Sequence, residues 1–183
     1  MLGALLCLSS VHALELSGEA VQGGLIFGTA SPGSSVRLDD TEVMVSPEGR
    51  FVIGFGRDET GERLLTVTDP GGQEEIRTLP VALREYNIER VDGLPPKTVT
   101  PDPEALERIR QEAALVSSAR ARRDQRTNYE DGFAWPASGR ISGVYGSQRV
   151  LNGEPRRPHF GLDIAAPTGS PVYAPADGII TLA

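Results

Sequence analysis

The chain has 183 residues, 39% apolar and 23% charged, with 21 glycines, 14 prolines and a formal charge of −7. This composition excludes a disordered or fibrous protein and describes a turn-rich globular chain of one domain or two small ones. The charge is uneven, with 17 acidic and 8 basic side chains in residues 1–104 against 8 and 10 in residues 105–183, so the acidic excess lies in the first half.

The opening MLGALLCLSSVHALELSG runs apolar from Leu2 to Leu8 and then places small residues around Val11-His12-Ala13. That order reads as a secretory signal peptide over residues 1–13, although no Lys or Arg precedes Arg37. The run is too short to span a bilayer, which predicts no transmembrane segment. Cys7 follows Leu5-Leu6, where a lipoprotein signal needs a small residue, so lipidation is not expected. Cleavage after Ala13 removes the only cysteine and leaves a mature chain without disulfide or thiol chemistry. The expected location is the periplasm or cell envelope.

Residues 14–93 alternate short apolar runs with turn signals: GLIFGTA, SPGS, SVRL, DD, TEVMV, SPEG, RFVIGF, GRDETGE, RLLTVT, DPGG, EEIRTLPVAL. Each run has strand length, and six or seven of them at this spacing predict a small β-sandwich. The pattern GTASPGSSVRL…SPEGRFVIGF resembles the bacterial immunoglobulin-like modules of surface and periplasmic proteins. No histidine, carboxylate pair or phosphate loop in it points to chemistry. It reads as a binding or spacer module, with envelope proteins as its possible partners.

Residues 94–134 begin as a proline-dense connector, which cannot continue a sheet. Asp102-Pro103-Glu104 is a helix start, combining an N-cap acceptor, a first-turn proline and a carboxylate at the positive end of the dipole. Leu106, Ile109, Ala113 and Val116 form one apolar stripe, predicting a linker helix packed on a neighbouring domain. Arg120, Arg122, Arg123 and Arg126 gather toward its C-terminal end. Nucleic-acid binding needs a broader basic patch than these four, so no nucleic acid is expected as partner.

Residues 135–183 are glycine-rich and β-like, and they hold His159 and Asp163 in RRPHFGLDIAAPTGSPVYAPADG, while the only other histidine is His12. A straight strand separates residues four apart by about 13 Å, so the backbone must bend if both are to hold one ion. Gly161 is assigned the freedom for that bend, and Pro158 keeps the residue before it extended. An imidazole nitrogen with a carboxylate oxygen suits zinc. On spacing alone, an ordinary hydrogen-bonded His–Asp contact remains the alternative. SPVYAPADGIITLA predicts a strand, a Pro-Ala-Asp-Gly turn and a second strand.

The run GRISGVYGSQR…PHFGLDIAAPTGSPVYAPADGII resembles the first half of the lysostaphin-like zinc metallopeptidases, the M23 family, over about residues 135–183. The shared pattern is H-x-G-x-D, a small-residue turn and V-x-A-x-x-G. The resemblance implies the incomplete first part of a β-sheet M23 peptidase core, which together with the immunoglobulin-like sandwich and linker helix read above makes the expected fold mainly β. It also implies Zn2+ held by His159 and Asp163, with peptidoglycan stem or cross-link peptides as substrate. The family's later H-x-H element, which supplies the third ligand and a catalytic histidine, is expected beyond Ala183, so this chain by itself is expected to be inactive. The alternatives are a degenerate M23 domain that binds and activates another wall hydrolase, and an immunoglobulin-like binding module with a vestigial tail.

Overall fold

The computed structural model describes residues 14–95 and 102–182, so the expected signal peptide and part of the proline-dense connector lie outside the described residues. The chain is mainly β, with several antiparallel sheets and one helix among the described residues. It divides into two compact units, one ending at Arg84 and one beginning at Glu85.

In the first unit, strands β1 (Glu15–Gly18), β2 (Leu25–Thr29) and β5 (Arg50–Gly54) form an antiparallel sheet ordered β1-β2-β5. A second antiparallel sheet has the order β4-β3-β6-β7, from β3 (Ser35–Leu38), β4 (Thr41–Val43), β6 (Glu62–Thr68) and β7 (Glu74–Pro80). Alternation along the strands sends every second side chain inward. Ile26, Phe51 and Ile53 from one sheet thus meet Val36, Leu65 and Val67 from the other in a single core. Phe51, Leu65 and Val36 are the largest fully buried side chains, each stabilising the fold by about 1.5–3 kcal/mol relative to exposure.

One glycine in this core is dictated by close approach. Gly28 pairs with Phe51 across β2 and β5, and a Cβ on Gly28 would fall 2.0–2.5 Å from three atoms of the Phe51 ring. The turn signals also resolve into geometry. Asp39 has φ 51° in the two-residue turn between β3 and β4, and its Oδ1 accepts the Leu64 N–H at 2.9 Å. In Ser46-Pro47-Glu48-Gly49 the Gly49 N–H donates to the Ser46 carbonyl, and Ser46 Oγ accepts the Arg50 N–H.

The second unit begins at Glu85. Its first strand, β8 (Ile88–Val91), pairs in parallel with β10 (Gln148–Leu151). The pairing is non-local, so composition carries no sign of it. An Asn152-Gly153 turn, with φ of 50° and 82°, returns β10 onto β11 (Glu154–Pro155). The Asn152 side chain donates to the Leu94 carbonyl at 2.8 Å and accepts the Leu94 N–H at 3.0 Å, tying the turn to the end of β8. Separately, β9 (Arg140–Gly143) pairs antiparallel with β12 (Asp163–Ala165).

Helix α1 (Pro103–Arg120) starts where its capping residues predict, with Asp102 Oδ1 accepting the Ala105 N–H at 2.8 Å. The packing expected of its stripe is found only in part: no residue of α1 is fully buried, Leu106 and Val116 are half-buried, and Ile109 is 50% exposed. At 100° per residue, Leu115 points away from Ala113, so the apolar surface is split between faces rather than gathered on one.

The two strands expected beyond residue 170 are also corrected. No strand follows Ala165 among the described residues, and Ile180 is 86% exposed. A strand exists only where a neighbour takes its backbone groups. Here two isolated bonds do so, from the Tyr173 N–H to the Pro136 carbonyl and from the Ala134 N–H to the Pro175 carbonyl, each at 2.8 Å.

Candidate metal centre

His159 and Asp163 are both hung on one stretch of chain, residues 143–147. The His159 N–H donates to the Ser147 carbonyl at 2.8 Å, and the His159 carbonyl accepts the Gly146 N–H at 2.7 Å. Asp163 opens β12 opposite Gly143, and the register shifts between Asp163 and Ile164. A bend at Gly161 separates these two attachments. The backbone therefore does bend, and the four-residue spacing closes to a side-chain contact.

Gly161 contributes less to that bend than its residue type suggests. Its φ is not positive, and a Cβ there would lie 3.6 and 3.8 Å from His159 Cε1 and Nε2, ordinary contact distances. Gly146 is the more demanding position. It has φ 84°, and the Tyr86 ring lies so close that a Cβ would fall 2.0 Å from two ring atoms. That ring begins a tilted aromatic series: Tyr86 to Tyr145 at 6.5 Å, Tyr145 to Phe160 at 5.9 Å, with the Arg157 guanidinium 5.3 Å from the Phe160 ring centre. The series flanks the backbone bonds that fix His159.

His159 Nε2 stands 3.3 Å from Asp163 Oδ1. It is shielded from solvent and makes no hydrogen bond of acceptable geometry. A neutral imidazole lone pair and a carboxylate oxygen at this separation repel unless positive charge lies on or between them. A proton on Nε2 or a shared cation supplies it. Zinc fits the second case. Bonds of about 2.0–2.1 Å opening at the tetrahedral angle hold nitrogen and oxygen about 3.3 Å apart, the separation observed. Among the described residues no third His, Cys, Asp or Glu joins the pair.

The pair lines a groove of about 540 Å³ with Glu89, Gln148, Arg149, Arg156 and Arg157. Arg149 is engaged by Glu89 at 2.9 Å, and Gln148 donates to the Arg156 carbonyl at 2.7 Å, which braces the groove wall. Arg122 and Arg126, counted in the sequence among four clustered cations, are instead bound to Asp124 at 2.9 and 2.7 Å. Hydrogen bonds from Arg126 first, and then from Arg122, hold the Asp124 carboxyl well below the usual carboxylate range.

One residue beside the pair had no signal in the sequence. Gly143, one glycine among several in GRISGVYG, faces Asp163 across β9 and β12. Only a non-local pairing makes them neighbours. Neither a protein-family model nor a curated protein matches this chain.

Proposed function

We propose that this chain belongs to an exported zinc endopeptidase of the lysostaphin-like M23 type, hydrolysing stem or cross-link peptide bonds of peptidoglycan in the periplasm or cell envelope. The observation that carries the reading is the 3.3 Å between His159 Nε2 and Asp163 Oδ1, the edge of a tetrahedral zinc site, with Nε2 closed to solvent. His159 would give a neutral nitrogen and Asp163 an anionic oxygen. The chemistry that such an ion supplies when bound is polarisation of a scissile carbonyl and acidification of water to a pKa of about 7. The chain's own residues fix the two donors: Ser147 and Gly146 hold the His159 backbone, and β9 holds Asp163. The groove beside the pair gives an extended peptide a place to lie. A third protein ligand and a histidine general base are required by this reading. The first unit, read as an immunoglobulin-like sandwich, serves as a spacer or as a docking module for envelope proteins.

The test is to incubate the purified full-length protein with peptidoglycan sacculi, with and without a zinc chelator, and count newly released amino termini. Chelator-sensitive release supports the peptidase. Release that appears only when a second wall hydrolase is added, and that survives chelation of this protein, replaces it with the regulatory alternative. Absence of stoichiometric zinc together with absence of release removes the enzyme reading.

A further inference from the structure

We infer that Gly143 is a positioning residue for the metal pair: by lacking a side chain, it lets the Asp163 carboxylate lie over β9 and reach His159. The inference deepens the metal-site reading and rests on it. A Cβ on Gly143 would fall 2.5 Å from Asp163 Oδ2, 3.1 Å from Cγ and 3.3 Å from Cβ. The backbone does not explain the glycine, since Gly143 is not among the residues with positive φ. What alanine would disturb is the carboxylate. Restoring an ordinary contact of about 3.5 Å requires Oδ2 to move by about 1 Å. Asp163 is 60% exposed on its side chain, so the carboxylate swings outward into solvent easily. The fold tolerates that movement. The site does not, because a metal-binding or catalytic constellation works only within about 0.5 Å of its productive geometry.

The experiment uses the full-length protein, with the third ligand that the metal-site reading requires, labelled with 15N-histidine; the His159 ring signals are identified by their loss in His159→Ala. Zinc is titrated while the His159 ring signals are followed in wild type, Gly143→Ala, Asp163→Ala and the double variant. Gly143→Ala should weaken zinc binding at least tenfold with an unchanged thermal melting temperature. On the Asp163→Ala background the same substitution should change nothing further, because it acts through a carboxylate that is already gone. In metal-free protein, Gly143→Ala should move the His159 ring nitrogen shifts in the same direction as Asp163→Ala. Wild-type zinc affinity in Gly143→Ala, or an equal weakening with and without Asp163, overturns the inference. If wild-type His159 ignores zinc, the metal-site reading falls by itself, and the metal-free shifts decide the positioning role: parallel movement supports it and unchanged shifts overturn it.

Discussion

Asp163→Asn probes the centre most directly, because it preserves size and shape while removing the anionic oxygen. Asp163 lies in a bulged pair with Gly143 and is 60% exposed on its side chain, so the amide is accommodated without repacking. Its exposure also sets the electrostatic scale. A unit negative charge about 2.1 Å from a divalent ion is worth about 4 kcal/mol even at the dielectric constant of water, or nearly three decades of affinity. An asparagine or water oxygen recovers part of that. The expected loss of zinc affinity therefore lies between about tenfold, the lower edge for an indirect perturbation, and about a thousandfold. Isothermal titration of zinc into both proteins, with a thermal melt of each, measures it, and His159→Ala provides the reference for a site with a donor missing. Equal affinity in wild type and Asp163→Asn would mean that the 3.3 Å contact is an ordinary His–Asp hydrogen bond, and the metal mechanism would have to be abandoned.

Gly28→Ala should destabilise the first unit by about 1–3 kcal/mol, because the new methyl collides with the Phe51 ring in a filled core; at about 4–8 °C per kcal/mol its melting temperature should fall clearly while zinc affinity stays unchanged. Gly161→Ala should leave zinc affinity as it is, since the added methyl meets the His159 ring only at ordinary contact distance; a tenfold loss in titration would show that the bend itself needs glycine. Asp124, held low by Arg126 and Arg122, should titrate below the ordinary carboxylate range. Because the folded value is depressed, the clamp's contribution is present above the unfolded value and is lost as pH falls through the folded one. A carboxyl-carbon NMR titration of Asp124 with an ordinary midpoint would refute the clamp.

The sequence by itself determined what depends on a residue and its near neighbours. Short apolar runs between turn signals marked the strands of the first unit, and Asp102 marked the helix start through its own capping oxygen. His159 and Asp163 stood out as candidate ligands by type and spacing. The tertiary structure alone decided what depends on which distant segment arrives alongside. It paired β8 with β10, left the α1 stripe only partly covered and left residues 166–182 without strand partners. It also supplied the support beneath the candidate site: Ser147 and Gly146 fix His159, and Gly143 lies under Asp163. Backbone preference and side-chain alternation are local energies that a short window reports. Hydrogen-bond partners across a sheet are chosen among many alternatives by the whole fold, so a bare glycine such as Gly143 acquires its meaning only when the strand opposite is in place.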